Sequence, residues 1–233
     1  MDYNESASMK NRTILIIYLI VYVTLAYSQG TPNLEEDTTI SEKVNILSFI
    51  DNRDNTPYSY IDIDGTYWMT ENLIFKSENS LIYNHDVNNE TVFGRLYSWK
   101  EATCACPDAW RLPTEEDWKK LELHIGLNQE EINLTGWRGT NQADALKDKK
   151  NNTWLSKMHL TSSDVGFNAP AGGVAYSKNS FANIGLGGYY WSATSYYSSF
   201  AWSRYVSYNK GSFYRNISAV NWYFSVRCVQ DRK

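Results

Sequence analysis

The chain has 233 residues, enough to bury one sizeable core, and at roughly 150 residues per domain a single domain with appendages is expected. Its net charge of -4 offers no basic footprint of the kind a phosphate backbone requires, which argues against nucleic acid as a partner. Aromatic residues make up 15% of the chain, with nine Trp and 18 Tyr, an excess that either fills a loop-rich core or offers flat faces to sugars and partner proteins.

The amino end reads as a signal peptide over residues 1–28. Lys10 and Arg12 precede an apolar run from Ile14 to Ala26, and Ala26-Tyr27-Ser28 presents small residues for cleavage before Gln29. An uncleaved anchor is the other reading, but the run of about 13 residues falls short of the roughly 20 a bilayer span needs, so no stable span is expected after cleavage. Met1 or Met9 could initiate, and no Cys lies near the cut to carry a lipid. Export to the cell surface or the medium follows as the expectation. Residues 29–43 are polar and acidic, include Pro32 and lack apolar periodicity, as in a flexible linker.

The folded domain is expected over residues 44–233. Val44, Ile46 and Leu47 open a strand-like run, Tyr58 and Tyr60 alternate with polar residues toward Ile61 and Ile63, and Asp64-Gly65 is a hairpin signal. A helix is predicted from Arg95 to Thr103, with Leu96, Trp99 and Ala102 inward. A second begins after Thr114, which is placed to cap it with Asp117 three residues on; Trp118, Leu121 and Ile125 share one face and Gly126 ends it. A third, short helix is expected from Gln142 to Lys149. From Gly166 onward, runs such as YYWSAT, FAWSRYVSY and YFSVRCV read as antiparallel strands joined by long loops, which makes the class α+β.

The blocks WMTENL, FGRLYSWKEA, ACPDAWRLPTEEDWKKLE, ALKDKKNNTW, VGFNAPAGG, FANIGLGGYYWSAT and FSVRCV follow one another in an order that resembles the Fibrobacter succinogenes major paralogous domain, a bacterial surface and secreted module. The resemblance covers about Asn45 to Gln230. RLPTEEDW is also similar to the sulfatase-modifying-factor group, which includes formylglycine-generating enzymes. Both resemblances imply a C-type-lectin-like fold with short antiparallel sheets, two or three helices and long loops. The chain departs at GFNAPAGG, where the family usually has Leu before Pro, and at Cys104, an additional cysteine.

Three cysteines in an exported protein read as one bridge and one left over. Cys106 and Cys228 stand in the two blocks that carry Cys in the family, so the resemblance implies that pair. Cys104 could exchange with Cys106, stay buried as a small apolar group, or bind metal, though Cys-x-Cys without a second pair is poor zinc spacing. The oxidase chemistry of the formylglycine group needs two cysteines near the carboxyl end; only Cys228 lies there, so the scaffold carries over without the chemistry.

No catalytic set stands out. His85, His124 and His159 are scattered, with neither an HExxH pattern nor a GxSxG elbow. Asp62 with Asp64, and Asn84, Asp86, Asn88 and Glu90, could offer oxygens to calcium, but turns and a solvated loop explain them as well. The EPN and WND motifs of calcium-dependent lectins are absent from the chain. No cofactor is called for, and a metal is left open.

The candidate surface is the variable stretch between the last two blocks. Tyr196, Tyr197, Trp202, Arg204, Tyr205, Tyr208 and Tyr214 are its expected ligand-binding residues, with the rings giving area at low entropic cost and Arg204 a planar donor. The alternative is that alternate members of the run face the core. The expected function is a noncatalytic exported module that binds a glycan or a surface protein, in adhesion or surface assembly; the alternative is an enzyme on a sulfatase-modifying-factor-like scaffold.

Overall fold

A computed structural model of the protein describes residues 44–156 and 164–232. The predicted signal peptide, the linker and His159 lie outside the described residues. The elements in chain order are β1 (Leu47–Asp51), β2 (Thr56–Ile63), β3 (Thr66–Met69), α1 (Glu90–Phe93), β4 (Leu96–Ser98), α2 (Trp99–Ala105), α3 (Glu115–His124), β5 (Gly136–Arg138), β6 (Gly172–Ser177), β7 (Ser180–Ile184), β8 (Gly187–Tyr197), β9 (Phe200–Ser207), β10 (Phe213–Ala219), β11 (Tyr223–Ser225) and β12 (Val229–Asp231), with four short 3-10 turns between them. The class is α+β, mostly sheet with short helices.

Two sheets result. A four-stranded sheet runs β1-β2-β3-β12, so the last strand closes against one of the first: Val229 pairs with Trp68. An eight-stranded sheet runs β4-β11-β6-β8-β9-β10-β5, with β7 alongside β6. Its pairings are antiparallel apart from the short parallel contacts Gly173 with Gly188 and Ser225 with Tyr190.

Local chemistry explains the best-defined elements. Asp64 and Gly65 both take positive φ, 48° and 80°, in the tight turn between β2 and β3. That conformation suits a short polar residue followed by glycine. At α3 the Thr114 hydroxyl accepts from the Asp117 amide, and the Asp117 carboxylate accepts from the Thr114 amide at 2.7 Å. Two otherwise orphaned donors are thus satisfied, and Gly126 at φ 97° turns the chain away just past the end.

Two predicted helices are corrected. The segment from Arg95 begins as strand β4, and only Trp99–Ala105 is helical. Tertiary pairing overrides the helical spacing: Leu96 pairs with Ser225 and bridges Leu81, while the Tyr97 hydroxyl donates to the Phe75 carbonyl at 2.6 Å. The expected helix at Gln142 is a 3-10 turn over Gln142–Leu146, because the chain leaves helical geometry at Lys147 to bring Asp148 against Ala169.

The apolar residues divide into two main clusters. One gathers Ile61, Ile63, Trp68, Trp118, Leu121, Phe167, Tyr190, Val206 and Phe213; the other gathers Tyr58, Met69, Leu73, Tyr97, Trp191, Ala201, Phe224 and Val226. Cys106 and Cys228 are disulfide-bonded across 122 residues of chain, which ties the end of α2 to the segment leading into β12. Cys104 is a free thiol exposed on α2.

Candidate functional site on the outer face of the large sheet

Strand residues alternate between faces, and β9 and β10 show what that does to the expected site. Their register sets Tyr205 opposite Tyr214, Arg204 opposite Arg215 and Ser203 opposite Asn216. Arg204 and Arg215 therefore share one face, turned to α3. Tyr205 and Tyr214 share the other with Ser203, Asn216 and Ser218.

On the inner face Arg204 is completely buried, which corrects its expected role as a surface donor. Its Nε donates to Glu122 at 2.5 Å and its Nη1 to Glu115 at 2.7 Å. Arg138 makes a two-pronged pair with Glu122 at 2.5 and 2.9 Å, and Arg215 Nε reaches Glu115 at 2.7 Å. Positions 115, 118 and 122 lie on one side of α3, so both carboxylates flank the buried Trp118. Burial alone would raise the Glu115 carboxyl, but Arg204 and Arg215 outweigh it and hold the group below its ordinary value. A buried network of this kind holds the helix to the sheet, with the Arg138 Nε left without a hydrogen-bond partner.

The outer face is open. Tyr176, Tyr189, Tyr205, Tyr214, Trp222 and Phe224 surround a pocket of about 210 Å³, together with Ser203, Asn216 and Ser218. The rings interlock. Tyr189 and Tyr205 stack with centroids 4.4 Å apart, Tyr189 leans on Phe224 at 5.4 Å, and Tyr176 meets Trp222 edge to face at 4.9 Å. Beyond them Trp137 packs on Tyr214 at 4.8 Å. Two features hold the stacked pair in place. The Asn183 side-chain amide donates to the Tyr189 hydroxyl at 2.7 Å, and Gly187 leaves the space that a Cβ would take from the Tyr205 and Tyr189 rings. Burial and the neighbouring Tyr205 push the Tyr189 hydroxyl above its ordinary value, so it stays neutral. Ser203 and Ser218 hydroxyls bond to each other at 2.9 Å between the rings.

The other expected residues divide. Tyr196 and Tyr197 form an exposed pair at the far end of β8, the second of them 68% exposed, and Trp202 packs against Tyr196 at 5.3 Å while Arg215 stacks over its indole at 3.7 Å. Tyr208 is half-buried against the inner cluster. Of the seven, Tyr205 and Tyr214 line the pocket; Tyr196, Tyr197 and Trp202 form a separate tip cluster. Tyr176, Tyr189, Ser203, Asn216, Ser218, Trp222 and Phe224 were missed. The signal that could have found several of them is the period of two in FAWSRYVSY and FYRNISA, which puts Ser203 and Tyr205 in phase with Tyr214, Asn216 and Ser218.

A larger recess of about 360 Å³ lies near β2 and the loop after the Gln142 turn, where Glu71, Asn72, Asp148, Lys150, Asn151 and Asn168 contribute polar groups. These groups hold the chain. Asp148 accepts from the Lys150 and Asn151 amides at 2.9 and 3.2 Å and from the Thr153 hydroxyl at 3.3 Å, and Glu71 accepts from the Ser59 amide at 2.9 Å. Asn72 accepts from the buried Arg227 at 2.8 Å. Its lining contains no Ser, Cys or His.

His85 lies against the Lys178 carbonyl and His124 beside Asp64, in separate parts of the surface. Asp62 caps the Gly65 amide and Asp86 the Asn88 amide, the turn roles weighed against calcium. Among the described residues no group of three or more His, Cys, Asp or Glu side chains is placed to hold a metal ion.

Residues 61–230 match the family model described as Fibrobacter succinogenes major domain. The chain belongs to this family. Comparison with curated proteins and with solved structures finds no match. The family domain spans everything that builds the outer face, from the strands β8 to β11 to the Asn183 that orients Tyr189. Among the described residues no helix is long and apolar enough to cross a membrane.

Proposed function

We propose that this member of the family is a noncatalytic recognition module, exported to the cell surface or the medium, that binds a glycan through the aromatic outer face of its large sheet in adhesion or surface assembly. The observation that carries the reading is the pocket itself: four tyrosines and a tryptophan that stay at least partly exposed, two of the tyrosines locked by Asn183 and Gly187, among hydroxyl and amide side chains. Rings that are fixed before binding lose little entropy on contact, and a concave apolar site with a few placed polar groups is the usual form of a ligand pocket. The C-type-lectin-like fold belongs to the same proposal, supported by the short antiparallel sheets, short helices and long connections.

An enzyme on a sulfatase-modifying-factor-like scaffold is the alternative reading; in the recess beside Glu71 and Asp148 it finds both carboxylates already accepting from backbone amides. A protein partner is the other competitor, and the tip pair Tyr196 and Tyr197 is the surface that suits it. A glycan and surface-protein array with the purified protein tests the reading. Glycan binding that Tyr205→Ala weakens is expected. Protein binding lost in Tyr197→Ala, with Tyr205→Ala unaffected, would move recognition to the tip.

A further inference from the structure

Resting on that reading, we infer that the outer-face pocket takes a single uncharged pyranose unit, a neutral hexose or pentose residue of a glycan, rather than a uronic or sialic acid. Three observations converge. First, every residue that lines the pocket is uncharged: aromatic side chains, two serines and one asparagine. A carboxylate brought into such a site would lose hydration without gaining a cation, a cost that an uncharged ring avoids. Lys210 stands 5.2 Å from the Trp137 ring, but Trp137 is outside the lining.

Second, the lining alternates in the way a pyranose does. One face of such a ring is a patch of C–H bonds with slight positive charge, which suits the negative face of an aromatic ring, and its edge is a belt of hydroxyls. Tyr214 and Trp222, both partly exposed, can supply such a face, while Tyr189 and Tyr205 cover one another and form a fixed wall beside them. Asn216, exposed on β10, offers an amide that both donates and accepts, and the Ser203 and Ser218 hydroxyls, bonded to each other at 2.9 Å, add polar lining beside it. Third, the size fits one unit. At about 210 Å³ the pocket is smaller than ordinary small-molecule sites, roughly 300–1,000 Å³. A longer chain would thread one residue through it and leave the others outside.

The test titrates the purified full chain, by calorimetry, with a neutral panel (cellohexaose, mannohexaose, xylohexaose, maltohexaose) and an acidic panel (hexagalacturonate, oligoalginate, sialyllactose). At least one neutral oligomer should bind, tenfold or more tighter than any acidic one, and Trp222→Phe and Asn216→Ala should each weaken it about tenfold with the circular dichroism spectrum unchanged. Two substitutions guard against a folding defect, since Asn216 is exposed and Trp222→Phe keeps a ring. Acidic oligomers that bind tighter than neutral ones, and lose affinity in the same variants, would overturn the inference and leave the glycan reading standing. Binding of no saccharide in either panel would overturn both. Neutral binding that neither variant alters would overturn the placement in this pocket.

Discussion

The two faces of β9 and β10 are made from the same short stretches of chain, yet one is a sealed ionic joint and the other an open aromatic recess. Residue by residue the strands alternate: Arg204 and Arg215 turn in to Glu115 and Glu122, while Tyr205 and Tyr214 turn out to the pocket. The inner face spends its polar groups on one another. The outer face leaves rings and an amide with solvent on one side. A rigid inner face is what lets the outer one keep a fixed shape, because the stacked tyrosines stand on strands that the arginine–glutamate network pins to α3.

Breaking the inner face should cost most. Arg204→Ala removes the guanidinium that bridges Glu115 to Glu122, leaving Glu115 to Arg215 and Glu122 to Arg138, and opens space beside Trp118. From the lost charge-assisted hydrogen bonds and that cavity, denaturant unfolding should record a loss of about 3–5 kcal/mol. Trp118→Ala, on the same side of α3 and fully buried, should cost a similar ~3–5 kcal/mol. A loss below about 1 kcal/mol in either variant would mean that the two faces are not energetically distinct. Replacing Cys106 and Cys228 by Ala should cost roughly 2–5 kcal/mol, through the long loop the bridge closes rather than through either face.

Acid sharpens the contrast. The carboxyls of Glu115 and Asp117 are raised by burial but lowered further by their arginine and threonine partners, and the net result lies below the ordinary values of 4.5 and 3.8. A depressed folded value means stability that is fully present above the unfolded value and lost as pH falls through the folded one. Thermal unfolding midpoints should therefore show no loss from these groups between about pH 7 and 5, then drop below about pH 4.5. A decline already complete by pH 5 would contradict it. Tyr214→Ala on the outer face should change stability least, by about 1 kcal/mol or less, with the same acid profile.

The sequence made some of this readable and concealed the rest. Thr114 with Asp117, and Asp64-Gly65, are local devices whose geometry depends on neighbours in the chain, and both were legible. The disulfide was legible through the family resemblance. Arg204 was misread because a guanidinium between Ser203 and Tyr205, in a run rich in aromatic residues, looks like surface chemistry; its partners lie on α3, 82 and 89 residues earlier in the chain. A hint existed in Glu115 and Glu122, which fall on the side of α3 that Trp118 buries, where apolar residues would be expected. The pocket was concealed for a different reason. It joins Tyr176, Tyr189, Tyr205, Tyr214 and Trp222 from β6, β8, β9, β10 and the turn before β11, and their neighbourhood depends on a strand order that no single segment encodes.

The division of the faces can be read directly from the tryptophan indole N–H signals in a nitrogen-15 NMR titration of the protein with cellohexaose, mannohexaose, xylohexaose and maltohexaose. The inner and core indoles are tied to carbonyls: Trp118 to Trp191, Trp191 to Tyr97, Trp154 to Ala169. Trp222 lines the pocket. With the oligomer that binds, the Trp222 signal should move in a saturable way while those of Trp118, Trp191 and Trp154 stay in place. Saturable movement of the core signals with Trp222 unmoved, or no movement with any of the four sugars, would contradict recognition on the outer face.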